Sequence, residues 1–145
     1  MIFSKRCLHA LRAVLYLGVQ PPEREFVPIR EISQKLDIPF HFLTKILKEL
    51  ADQGFIISSR GAAGGIQLAK PTSELNVKEI IESIEGEDYF SGCILGFSKC
   101  DNDNPCALHD RWVAIKAEIQ MMLGEEHLES LADRIKTQGL RLLEI

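Results

Sequence analysis

No stretch of this 145-residue chain reaches the roughly 18 consecutive apolar residues of a membrane span, so no membrane partner is expected. An export signal is also missing. Lys5 and Arg6 do precede a hydrophobic stretch, but His9 and Arg12 interrupt it and no small-residue cleavage site follows. The chain is therefore expected in the reducing cytoplasm, where its four cysteines favour metal binding over structural disulfides. Repeats and low-complexity tracts are absent. A content of 46% hydrophobic and 26% charged residues suits one ordinary globular domain, or a small domain with an appended helical arm. The glycine-rich segment at 61–65 lacks the Gly-Lys-Ser/Thr ending of a nucleotide-binding loop and leads into a strand, which argues against a phosphate cradle. No orienting acid or oxyanion pattern accompanies the cysteines and histidines, so no enzyme is expected.

What is present is unevenly distributed. The net charge of −4 seems wrong for a nucleic-acid binder until the chain is divided. Residues 1–70 hold ten Lys and Arg against six Asp and Glu, a balance of +4, whereas residues 71–145 hold seven against fifteen, a balance of −8. A basic functional half and an acidic half with other duties follow.

The apolar periodicity places the elements. Phe3, Cys7, Leu11, Val14 and Gly18 have helical spacing, and Gln20-Pro21-Pro22 ends that helix. A second helix runs from Pro28 through Ile29, Ile32 and Leu36, with Pro28 suited to a first turn. A third opens at Pro39, carries Leu43, Ile46, Leu47 and Leu50 on one face, and ends at Gly54. Two short helices joined by a tight turn make a helix-turn-helix. Phe55–Ser59 and Ile66–Ala69 flank a glycine-rich turn, a hairpin in the position of a wing. Asn76 and Glu79 mark the start of a further helix that ends at Gly86. Asn104-Pro105 is read as the cap of a long helix in which Leu108, Trp112, Ile115, Ile119 and Met122 form a narrow seam suited to pairing two protomers. A last helix carries Leu128, Leu131 and Ile135. The expected architecture is mainly α with a small β-hairpin: a winged helix-turn-helix domain at 1–86, a cysteine-rich loop at 87–106 and a helical dimerisation region at 107–145.

Three cysteines fall within fourteen residues, as Cys93-x6-Cys100-x5-Cys106, with His109 close behind. Thiols concentrated in a polar loop can converge on one point, and soft-metal ligation by an iron–sulfur cluster or zinc needs that convergence. Zinc loops normally pair cysteines more closely, as C-x2–4-C. A metal-free thiol switch acting through protein contacts is the further alternative. Cys7, on an apolar stripe, reads as a core residue. Double-stranded DNA would meet the exposed side of the third helix, through His41, Thr44, Lys45 and Lys48. Arg60 and Gly61 at the wing tip are placed for a minor groove.

The segment Leu11-Arg12-Ala13-Val14, the wing Arg60-Gly61-x-x-Gly64-Gly65-Ile66-x-Leu68 and the ending Ile84-Glu85-Gly86 ahead of the cysteines resemble the Rrf2 family of winged-helix bacterial transcription regulators. The match is closest to its IscR/NsrR-like iron–sulfur branch. The resemblance implies a homodimer whose DNA affinity follows the occupancy or redox state of a cluster, [2Fe–2S] with [4Fe–4S] as the alternative. It implies ligation by Cys93, Cys100, Cys106 and His109, with His9 from the partner's first helix as the reserve ligand. The first spacing is six residues where the IscR pattern has five, which leaves cluster nuclearity open.

Overall fold

The computed structural model describes residues 2–143, so residues 1, 144 and 145, at the outer ends of the expected regions, lie outside it. Helix α1 (Lys5–Gly18) is capped by Ser4, whose hydroxyl accepts from the Cys7 amide at 3.1 Å. It packs against four other helices and one strand of the hairpin. Its buried face is Cys7, Ala10, Ala13, Val14 and Leu17, while Leu11 is only half-buried. The seam expected through Leu11 is thus rotated toward the alanines, because a helix enclosed on several sides brings its neighbours closest over its smallest side chains.

Helices α2 (Ile29–Leu36) and α3 (Phe40–Asp52) are joined by a turn in which Asp37 takes a left-handed conformation at φ 51°. Ser33 secures that turn twice: its carbonyl accepts from the Ile38 amide at 3.0 Å, and its hydroxyl donates to the Ile38 carbonyl at 2.6 Å. Ile32, Leu36, Ile38, Leu43, Ile46 and Leu50 are each at most 1% exposed and form the core between these helices and α1. Full burial of each such side chain contributes roughly 1.5–3 kcal/mol.

Strands β1 (Ile56–Ser59) and β2 (Gly65–Leu68) pair antiparallel, with Ile56 opposite Leu68 and Ser59 opposite Gly65. Val27, ahead of α2, adds a bridge to Ile66 through two bonds of 2.9 Å, tying the hairpin to the helix-turn-helix. The result is the winged helix-turn-helix anticipated above.

Helix α4 (Val77–Glu85) begins as its sequence requires. The Asn76 carboxamide accepts from the amides of Lys78 and Glu79 at 2.9 and 3.3 Å, and Val77, Ile80, Ile81 and Ile84 are buried. Helices α5 (His109–Glu125) and α6 (Leu128–Gln138) follow the cysteine loop. Their junction is fastened to the start of α4. Asn76 Nδ2 donates to the Gly124 carbonyl at 2.6 Å, the Val77 amide to Glu126 at 3.0 Å and the Leu128 amide to Leu75 at 2.8 Å. Residue α6 Ala132 and Leu128 face the core, and Leu131 packs against it.

Helix α5 starts later than Asn104-Pro105 suggests. Leu108 stands at its cap position without a side-chain cap, and its first-turn bond runs from the Trp112 amide to the Leu108 carbonyl at 2.8 Å. The preceding segment bonds locally instead: Asp101 Oδ1 accepts from the Asp103 amide at 2.9 Å, and the His109 amide closes a turn onto Cys106 at 3.0 Å. Such side-chain turns compete with helix initiation. Along α5 most of the seam is open. Ile115 is 50% exposed and Met122 55%, and Ile119 is half-buried. No helix among the described residues is long and apolar enough to cross a membrane.

Candidate metal centre and nucleic-acid interface

The segment between Gly86 and α5 folds around one cavity of about 500 Å³ lined by Cys93, Cys100, Cys106 and His109. The four donors stand in two pairs. Cys93 Sγ is 3.7 Å from Cys106 Sγ, and Cys100 Sγ is 3.6 Å from His109 Nδ1. The three cysteines are half-buried and His109 is only 7% exposed. The other ring nitrogen of His109, Nε2, lies 2.8 Å from Asn102 Oδ1. One arm of the loop is held to α5 by Trp112 Nε1, which donates to the Gly92 carbonyl at 3.0 Å.

A helix opened by Asn104-Pro105 would place Cys106 and His109 on one helix face, but α5 starts only at His109. Because Cys106 precedes α5, it does not share a helix face with His109; it meets Cys93, and His109 meets Cys100. Among the described residues no three His, Cys, Asp or Glu side chains gather closely enough to hold a single ion. Burial pushes the Cys93 thiol up, but the backbone of Leu95, the Cys106 thiol and the backbone of Phe97 and Gly96 outweigh it, holding the thiol below its usual range. A thiol so held is the more readily deprotonated, and the thiolate is the ligating form. Cys7 is the opposite case. It is fully buried, and its thiol is pushed up to about 12, by burial first and then by the Glu85 carboxylate.

His9 is not brought to the cysteines of its own chain. Its ring stands edge-on to Phe42 of α3 at 5.6 Å, and burial, then Arg12 and Lys5, lower its pKa. Two residues escaped sequence reasoning. Asn102 looked like one more turn-former, and only its place two residues after Cys100 hints at more. Arg6 donates to the Ile84 carbonyl at 2.6 Å and to Glu49 at 3.1 Å, joining the end of α4 to α3.

A family model described as "Iron-dependent Transcriptional regulator", Rrf2, matches residues 3–134. The chain belongs to the Rrf2 family. A putative HTH-type transcriptional regulator of Aquifex aeolicus is 35% identical over 122 residues, 83% of each chain. The HTH-type transcriptional regulator NsrR of Oceanobacillus iheyensis is 32% identical over 109 residues, 74% of each. The solved structure of CymR, titled the global cysteine regulator of B. subtilis, superposes with a TM-score of 0.77 at 24% identity, covering 90% of this chain and 95% of that one. At that identity the likeness concerns the fold. The protein is a transcription regulator of this family and not an enzyme.

The side chains expected to meet DNA lie on α3 and at the wing tip. His41, Thr44, Lys45 and Lys48 are all exposed, on the side of α3 opposite the buried Leu43, Ile46, Leu47 and Leu50. The Thr44 hydroxyl donates to the Phe40 carbonyl at 2.8 Å, so toward a base it is left as an acceptor. Arg60 and Gly61 are exposed at the hairpin tip. Phe40 and Phe42, unforeseen as surface residues, are 37% and 38% exposed, and the Arg30 guanidinium lies 5.3 Å from the centre of the Phe40 ring.

Proposed function

We propose that this Rrf2 regulator is a homodimer whose affinity for double-stranded DNA is set by an iron–sulfur cluster held by Cys93, Cys100, Cys106 and His109. The observation that carries the reading is the convergence of three thiols and one imidazole on a single cavity, in two pairs. Two pairs of soft donors suit a [2Fe–2S] centre, in which each iron takes two protein ligands, better than one zinc ion. Such a centre, when bound, supplies a charge and reactivity that change with redox state or occupancy. The chain's own residues do the rest. A neutral imidazole in place of a fourth thiolate leaves the site less negative. Arg6 offers a route from the loop to the DNA-reading helix, since it holds both the last turn of α4 and Glu49 on α3. The open apolar face of α5 suits the pairing of two protomers, and it would bring two wings to one two-fold operator.

Anaerobic reconstitution tests the reading. The expected product contains iron and acid-labile sulfide in the proportions of [2Fe–2S], absorbs in the visible and differs from the cluster-free chain in DNA affinity. Four irons per protomer would replace it by [4Fe–4S], and zinc without sulfide would overturn it. Replacing His109 by Ala should weaken cluster retention. If His9→Ala disrupts the cluster and His109→Ala does not, the partner's first helix supplies the ligand.

The 3.7 Å between the Cys93 and Cys106 sulfurs favours a second reading, a thiol switch. Joining them at the ~2.05 Å of a disulfide would pass two protons and two electrons to an oxidant such as a disulfide of low molecular weight. A Cys93–Cys106 cross-linked peptide that forms reversibly and alters DNA affinity in iron-free protein would favour it.

A further inference from the structure

His109 is the buried polar residue of the described chain, and its two ring nitrogens face different surroundings. Nδ1 looks toward the cavity, 3.6 Å from Cys100 Sγ; Nε2 looks away from it, 2.8 Å from Asn102 Oδ1. A neutral imidazole carries one N–H and one lone pair, and only the lone pair binds a metal. An amide oxygen only accepts. With Asn102 Oδ1 against Nε2 the ring proton belongs on Nε2, and the lone pair is left on Nδ1, facing the thiols. With the amide turned about, its NH2 would donate to Nε2, and Nδ1 would carry a proton into the cavity. In that state neither nitrogen offers a lone pair to the thiol-lined space. The backbone of Asn102 lies inside the adjoining turn, in which Asp101 Oδ1 accepts from the Asp103 amide at 2.9 Å.

We propose that Asn102 is a positioning residue that selects the ligating atom of His109: its carboxamide oxygen holds the Nε2–H and presents Nδ1 to the cluster. The inference rests on the cluster reading above. It adds a residue that does not touch the centre, and it predicts the nitrogen that does. Loss of such a partner to a ligating histidine costs about 10- to 100-fold in metal affinity.

Two measurements on the full chain test it. Long-range proton–nitrogen correlation spectra of reduced, metal-free protein, at a pH where imidazole is neutral, report the tautomer of His109, its signal identified by its loss in His109→Ala. The wild type should be protonated at Nε2. Asn102→Asp keeps an acceptor there and should retain that tautomer, whereas Asn102→Leu should lose it. Asn102 is exposed, so neither change disturbs the core, and unchanged thermal unfolding checks this. Pulsed electron paramagnetic resonance then reads the reconstituted, one-electron-reduced protein with histidine labelled at Nδ1 alone. Strong coupling from the labelled atom is expected, with cluster affinity about 10- to 100-fold lower in Asn102→Leu and largely recovered in Asn102→Asp. A wild-type His109 protonated at Nδ1, coupling through Nε2, or an Asn102→Leu variant with unchanged tautomer and affinity would each overturn the assignment. A wild-type chain that assembles no cluster refutes the cluster reading and the ligating role together. One that assembles a cluster coupled through Nε2 refutes only the role given to Asn102.

Discussion

Replacing Gly65 by Ala should detach the wing from the helix-turn-helix, and the structure sets the size of the effect. A Cβ built at Gly65 falls 2.2 Å from the Val27 carbonyl oxygen and 2.5 Å from its carbon, and the residue has φ +152°. Backbone cannot yield there without opening the Val27–Ile66 bridge, whose two hydrogen bonds are each 2.9 Å. Losing both costs about 1 kcal/mol apiece. The unfavourable backbone conformation adds roughly 1–3 kcal/mol. The total, about 3–5 kcal/mol, is a large part of the ~5–15 kcal/mol that stabilises a typical domain. Gly61→Ala is the control. Its φ is +102°, but nothing lies within 4 Å of the added methyl group, so only the conformational cost applies. Urea unfolding of both variants at one protomer concentration should place Gly65→Ala about 2 kcal/mol below Gly61→Ala. Equal midpoints would show that the Val27 contact does not constrain the wing.

Arg60→Ala should weaken DNA binding by about 1–3 kcal/mol and lower the slope of log affinity against log salt by about 0.9, read from fluorescence anisotropy across a salt series; an unchanged slope would remove Arg60 from the interface. Ile115→Glu places a charge on the open face of α5, where Ile115 is 50% exposed in the single protomer, so it should yield a folded monomer in sedimentation, and a wild type already monomeric at micromolar concentration would refute the pairing. The Cys7 thiol has a folded pKa of about 12 against a reference of 9.0, so the folded chain binds its proton more tightly than the unfolded one. Stability from this group is therefore complete below about pH 9 and is lost as pH rises toward 12, and the alkaline fall in unfolding free energy should be shallower in Cys7→Ala.

The elements whose ends carry their own chemistry were legible in the chain. Asn76 and Glu79 announce α4, and the Asn76 side chain does accept from the amides of Lys78 and Glu79. The hairpin followed from its glycines, and the buried face of α3 from Leu43, Ile46, Leu47 and Leu50. The start of α5 misled because Asn104-Pro105 has the composition of a cap, while Asp101 and Asp103 had already spent the local hydrogen bonds on a turn. With that displacement Cys106 lies off the helix, and the donors pair as Cys93 with Cys106 and Cys100 with His109. Spacing along a chain cannot reveal which thiol a folded loop returns to. Arg6 escaped because its partner Ile84 is distant in sequence, and Asn102 because its bond to His109, seven residues on, depends on how the loop folds back.

The fastening of α5 at its far end has a consequence for how such a regulator can change. The bonds among Asn76, Gly124, Val77, Glu126, Leu75 and Leu128 anchor the far end of the helix independently of the residues between Gly86 and His109, whose own bonds to α5 lie at its start. That intervening segment is therefore closed by a frame built elsewhere. Closure entropy rises slowly with length, by about 0.6 kcal/mol for each doubling, so one residue more or less between Cys93 and Cys100 changes it by far less. A spacing of six is thermodynamically as acceptable to the frame as one of five. The cysteine loop and the winged helix-turn-helix are thus separable inventories of residues, and drift in the first leaves the second folded.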